Sequence, residues 1–256
     1  MFISTNTEIA NSDKFIVLLH GFGGNHRVWK HQIELLADRV NILAIDLPSH
    51  NVGNKKLSDM TASLDAIVKE ILAVLDNYNI KHAVFMGVSL GTVFIKYIEE
   101  YYPDYISDAV LVGAVGNVGL MLRLAVRIFS GIGDKLPFEK VYKIFSKIVM
   151  PWKVSSKSRE IFCECAKDLN PKEFKQYMFI FKEHFKFNKN IFIKKEHTEN
   201  YYISGRGDLC FLKGILEEAR KTNAKLRTIK NCGHIANIDQ RDIFNTILLK
   251  RLGNVI

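Results

Sequence analysis

The residues in this chain best placed to do chemistry are Gly87-Val88-Ser89-Leu90-Gly91, which follow the apolar run His82 to Met86 and precede a helix-like stretch, Thr92 to Tyr101. Strand, G-x-S-x-G, helix is the order of a nucleophile elbow, a turn so tight that only glycine or another small residue fits two positions either side of the serine. An elbow sets Ser89 Oγ above the sheet at a helix N-terminus, where free N–H groups favour developing negative charge. A serine hydroxyl is a poor nucleophile at neutral pH. It needs an imidazole within hydrogen-bond reach to take its proton, and a carboxylate to fix that imidazole's tautomer.

Other polar residues gather where strands are expected to end. Phe15 to Leu19 reads as a buried strand running into His20-Gly21-Phe22-Gly23-Gly24-Asn25, and Val40 to Ile45 as a second ending in Asp46-Leu47-Pro48-Ser49-His50-Asn51. Downstream, Tyr201 to Ser204 leads into Gly205-Arg206-Gly207-Asp208, and Ala224 to Ile229 into Asn231-Cys232-Gly233-His234, which places Asp208 and His234 26 positions apart. In parallel α/β sheets this edge is where ligands bind. Amphipathic helices are expected over Trp29 to Ala37, Thr61 to Asn77, Phe211 to Thr222 and Gln240 to Leu252, with Ala62, Leu64, Ile67, Val68, Ile71, Leu72 and Leu75 as one apolar stripe. Strand and helix in alternation imply an α/β fold, a mostly parallel sheet with helices on both faces.

These motifs, in this order, resemble the α/β-hydrolase superfamily over nearly the whole chain. The resemblance implies that Ser89 is the nucleophile, Asp208 the triad acid and His234 the general base, with the backbone N–H groups of Phe22 and Leu90 forming the oxyanion hole. The family's second loop usually reads like D-x-P-G-H-G, and here Ser49 and Asn51 stand where glycines are common. Asn tolerates a left-handed backbone, so Asn51 is read as the milder change. Asp208 competes with a reading as a turn former after Gly207, but the preceding strand end offers only Asn117 in its place. Asp239 and Asp46 are next in line as acids. His234 alone among the histidines follows a strand and a glycine in the C-terminal part. His20 is read as holding the oxyanion loop and His50 as a solvated loop residue. No histidine and carboxylate set has metal-ligand spacing, and the implied chemistry calls for no cofactor.

At 256 residues and 48% hydrophobic content, the chain can bury a full core as a single elaborated domain. The longest apolar stretch, Ala109 to Leu122, is too short to span a bilayer and is interrupted by Asn117. Met1 to Asn6 lacks the pattern of a secretory signal. Four cysteines, Cys163, Cys165, Cys210 and Cys232, show neither C-x-x-C spacing nor disulfide density. A cytoplasmic protein with free thiols is the expectation.

Residues 1–116 and 200–256 form the expected hydrolase core, and 117–199 an inserted helical cap with helices over Leu120 to Phe129, Phe138 to Val149, Ser158 to Lys167 and Pro171 to Phe187. The cap holds 17 Lys and Arg against 9 Asp and Glu, the rest of the chain 19 against 18, so nearly all of the +9 net charge lies on the cap. Most of its lysines read as a solvated face. Arg123 and Arg127, four apart on one helix face, suit gripping a carboxylate or phosphate beside an apolar acyl pocket. The cap aromatics fall at core spacing rather than among the basic residues, which argues against nucleic acid. The reading is a serine hydrolase of a small carboxylic ester or thioester, its acyl group anionic or presented by an acidic carrier protein. Alternatives on the same fold are an acyltransferase, a C–C bond hydrolase or lyase, or a non-catalytic ligand receptor.

Overall fold

Continuous apolar runs such as Ile16 to Leu19 and Ala83 to Met86 have no polar face to turn toward water, so they need a sheet covered on both sides. The computed structural model of the chain describes residues 2–7, 14–51, 56–59, 61–132, 137–187 and 200–253. Its seven strands lie in the order β1-β3-β2-β4-β5-β6-β7. Six are parallel: β2 (Phe15–Leu19), β3 (Asn41–Asp46), β4 (Ala83–Val88), β5 (Ile106–Val112), β6 (Asn200–Gly205) and β7 (Lys225–Ile229). The seventh, β1 (Phe2–Thr7), runs antiparallel along β3, with Phe2 opposite Asp46. This edge strand was not legible in the sequence, because FISTNT lacks both an apolar run and a clean alternation.

Helices α1 (Lys30–Leu36), α2 (Leu64–Asn77), α3 (Leu90–Tyr101), α8 (Leu212–Thr222), α9 (Ala236–Asp239) and α10 (Arg241–Leu252) accompany the sheet. The expected helix from Thr61 begins at Leu64 because Ser63 caps it, its hydroxyl accepting the Ala66 N–H at 3.1 Å. Such a cap is worth about 1 kcal/mol. The stripe from Leu64 through Leu75 is buried as expected, each large aliphatic side chain contributing about 1.5–3 kcal/mol. The helix expected over Trp29 to Ala37 is α1, entered through a 3-10 turn, His26–Trp29.

Between β5 and β6 the described chain is helical: α4 (Leu120–Ile132), α5 (Phe138–Val149), α6 (Ser156–Cys165) and α7 (Pro171–Phe187). Residues 133–136 and 188–199 of the expected cap lie outside the described residues. α4 packs on α7 and α5 on α6. Phe129, Phe145 and Phe174 form edge-on ring contacts that close around Phe22 of the loop after β2. The aromatic stripes of these helices are therefore core, and they pack on the loop that leaves the C-terminal end of β2.

A buried ion pair holds the base of this arrangement. Lys96 Nζ on α3 lies 2.6 Å from Glu218 Oε1 on α8, both almost fully buried. Lys96 also donates to Val115 O at 3.2 Å, and Tyr202 OH to Glu218 Oε1 at 2.8 Å. Among the described residues, no helix is long and apolar enough to cross a membrane.

Candidate active site

Ser89 occupies the one-residue turn between β4 and α3 with φ 51° and ψ −114°. Strain of this kind costs about 1–3 kcal/mol for a non-glycine residue, and the surroundings hold it. The Ser89 N–H donates to Val112 O at 2.9 Å, and Ser89 O accepts the Thr92 hydroxyl at 2.6 Å and the Thr92 N–H at 2.9 Å. The flanking glycines are required by contact: a Cβ on Gly91 would strike Leu19 O, and one on Gly87 would lie 2.6 Å from Ile95 Cδ1.

Asp208 follows β6 and His234 follows β7, as the sequence places them. Their loops are tied together by Arg206 N–H to Ile229 O and Gly207 N–H to Cys232 O, both 2.8 Å. His234 Nδ1 lies 2.8 Å from Asp208 Oδ2 and Nε2 lies 2.9 Å from Ser89 Oγ, with both side chains buried. A carboxylate can only accept, so Nδ1 carries the proton and Nε2 is free to accept the serine hydroxyl proton. Two residues that the sequence reading missed steady the imidazole. Phe211 stacks on it, with ring centroids 4.6 Å apart at 23°, and donates its N–H to Asp208 Oδ1 at 3.2 Å. Gly113, at φ 50°, packs against His234 as well, where a Cβ would collide with His234 O.

The runner-up acids hold loops instead. Asp46 accepts the His26 N–H and the Asn51 side-chain amide, each at 2.6 Å. Asp239 accepts the Gly233 N–H at 2.9 Å and the Ser155 hydroxyl at 2.6 Å, and its other oxygen takes the Ser158 hydroxyl. Burial pushes the Asp239 carboxyl upward against those hydrogen bonds.

A sequence model described as the alpha/beta hydrolase family matches residues 16–246, a span that includes every one of these loops. This chain belongs to the alpha/beta hydrolase family. The structure of MenH from S. aureus superposes with a TM-score of 0.83 at 20% identity, over 99% of each chain. An esterase from Exiguobacterium antarcticum superposes with a TM-score of 0.79 at 14% identity, over 94% of this chain and 92% of that one. Among curated relatives, the karrikin insensitive 2 receptor IA of Petunia hybrida is 28% identical over 108 residues, 41% of this chain and 39% of that protein. Alignments to the curated relatives first matched span about 27–39% of those proteins' own lengths.

Within the hydrolase frame, the loop after β2 passes against Ser89. Gly21 approaches so closely that a Cβ there would sit 3.2 Å from Ser89 Cβ. Gly21 O accepts the Gly24 N–H at 2.9 Å and His20 Nδ1–H at 2.8 Å, while His20 Nε2 accepts the Leu47 N–H at 2.9 Å. Because the peptide is trans, the Phe22 N–H points opposite to that twice-bonded carbonyl. Neither it nor the Leu90 N–H has a hydrogen-bond partner among the described residues. His20 thus has the loop-holding place expected of it, kept neutral by burial.

One expectation for the second loop is corrected. His50 is fully buried rather than solvated: Nδ1–H donates to Pro48 O at 2.9 Å, and Nε2 accepts the Gly23 N–H at 3.0 Å. Burial beside His20 lowers its pKa well below the ordinary value. Ser49, the less conservative of the two departures from the family's loop, takes the left-handed backbone, at φ 65°. Ser49 tolerates this because its hydroxyl accepts the Leu57 N–H at 2.8 Å and donates to buried Glu173 of α7 at 2.6 Å.

The cavity above Ser89 is narrow, about 30 Å³. Ser89 and His234 lie in its wall beside Leu122, Val126, Phe145, Val149, Phe181 and Phe185. Arg123 and Arg127 are not part of that lining. Leu122, Val126 and Phe129 are the buried side of α4, and residues one step along a helix are turned about 100° away. Arg123 instead donates to Val118 O at 3.0 Å and Asn117 Oδ1 at 3.2 Å over the Phe185 ring, and Arg127 is exposed.

Proposed function

We propose that this hydrolase cleaves small carboxylic esters or thioesters with an uncharged, apolar acyl group, through an acyl-enzyme on Ser89. The single observation that carries the reading is the hydrogen-bonded relay from Ser89 Oγ to His234 to Asp208 at 2.9 and 2.8 Å, opening into an apolar cavity. Ser89 attacks the acyl carbon as His234 Nε2 takes its proton. The tetrahedral oxyanion is received by the Phe22 and Leu90 N–H groups, each such donor typically worth about 3–4 kcal/mol. His234 then protonates the leaving group and activates water for deacylation, with Asp208 steadying the imidazolium. No cofactor enters. Cys163, Cys165, Cys210 and Cys232 are free thiols, which supports residence in a reducing, cytoplasmic compartment.

A panel of p-nitrophenyl esters of rising chain length, each neutral or ω-carboxylated, tests this reading. Neutral esters should be preferred, and Arg123→Gln with Arg127→Gln should leave that preference in place. A preference for ω-carboxylated esters that those two changes abolish would restore the anionic substrate. The partial likeness to a karrikin receptor supports a second reading, a ligand-binding hydrolase with slow turnover. Tight binding of small apolar ligands together with negligible hydrolysis across the panel would favour it.

A further inference from the structure

The oxyanion loop is gripped from both sides at the Phe22–Gly23 peptide. Its carbonyl, Phe22 O, accepts the hydroxyl of Tyr142 on α5 at 2.8 Å, a contact 120 positions away in sequence. Its N–H, on Gly23, donates to His50 Nε2 at 3.0 Å, and His50 is itself fixed by Pro48 O. Gly23 has φ 75°, and the Tyr142 hydroxyl occupies the place where its Cβ would be. The Tyr142 ring packs against Phe22 with centroids 5.8 Å apart. The preceding peptide, which carries the Phe22 N–H, is held through Gly21 O as described above. Rotation about the Phe22 Cα is the remaining freedom that would swing this N–H away from Ser89, and a clamped following peptide removes it.

We propose that Tyr142 is a positioning residue for the oxyanion hole: by holding Phe22 O from the cap, with His50 holding Gly23 N–H, it aims the Phe22 N–H at the oxyanion. This rests on the proposed serine hydrolase reading and adds to it a coupling, because the donor is fully aimed only while α5 is seated on the loop. Tyr142 lines the cavity beside Ser89 and His234, and its hydroxyl is engaged by Phe22 O, through which it acts on the transition state. Ground-state binding in the apolar cavity depends on its ring, which Tyr142→Phe keeps.

The test compares wild type, Tyr142→Phe, His50→Phe and, as a control at an exposed helix end, Tyr78→Phe. Steady-state hydrolysis of a neutral p-nitrophenyl ester is measured beside inhibition by a small alkyl boronic acid, whose serine adduct places an oxygen in the oxyanion hole. Loss of one positioning hydrogen bond should lower kcat about three- to tenfold with KM unchanged. The boronic acid Ki should weaken by the same factor, and Tyr78→Phe should match wild type. His50→Phe, which fills the imidazole's place but accepts nothing, should repeat the kcat-only loss. Unchanged kcat in a folded Tyr142→Phe overturns the proposal, as does a rise in KM without loss of kcat. Failure of the hydrolase reading looks different: wild type would neither hydrolyse the ester nor react at Ser89 with a fluorophosphonate.

Discussion

Gly113 has no side chain because His234 stands where one would go. Gly113→Ala should leave Ser89, His234 and Asp208 all present yet lower kcat at least about tenfold, since displacing a base by a fraction of an ångström spoils its alignment. Unaltered kcat in a folded Gly113→Ala protein would show that the imidazole has room to spare. Asp208→Asn should retain the fold and lose most activity, because an amide can donate to Nδ1 and stabilise the wrong imidazole tautomer; near-normal rates would require another acid. At this scale the sequence was most informative for Ser89, Asp208 and His234, whose neighbours announce a strand end. It was silent on Tyr142, Phe211 and Glu173, whose partners are set by packing across long separations. It misread His50 because burial of an imidazole in a loop depends on a second loop, 27 positions earlier, closing over it.

Among elements, the ion pair between α3 and α8 is the sharpest case for measurement. Lys96 and Glu218 are nearly inaccessible to water, and removing one partner leaves a buried charge alone, which typically costs about 3–5 kcal/mol. Glu218→Gln should therefore lower the urea unfolding midpoint strongly, while Lys96→Met combined with Glu218→Leu should recover much of the loss. Equal destabilisation in the single and double variants would show that the pair itself is net stabilising. Helix existence was legible from 3.6-residue periodicity, and α5 and α7 begin and end where the pattern does. The ends that shifted, at Leu64 and at His26–Trp29, were decided by a side-chain cap and by a tight turn. Periodicity reports neither. The same limit applied to α4: the spacing put Arg123 and Arg127 on one face, but only packing showed that Leu122 and Val126 face the cavity.

The whole molecule carries its histidines in a way that sets its acid tolerance. Burial holds the His50 imidazole well below its ordinary pKa and lowers His184, which also faces Lys96, to about 3. Both are neutral in the fold and take up protons on unfolding once the pH falls below the ordinary value of 6.5. Their contribution is fully present above that pH. Below it, stability drains by about 1.4 kcal/mol per pH unit for each histidine that stays neutral in the fold. Urea unfolding at pH 7.5 and 5.5 should show a clearly lower midpoint at the acid value; equal midpoints would contradict the burial of neutral imidazoles. The measurement that bears most directly on the account as a whole is the site of covalent capture. Incubation with a fluorophosphonate, followed by intact mass and peptide mapping, should give one adduct on the peptide containing Ser89 and none in Ser89→Ala, with ester hydrolysis lost in step. An adduct on another serine, or hydrolysis that survives in Ser89→Ala, would contradict it.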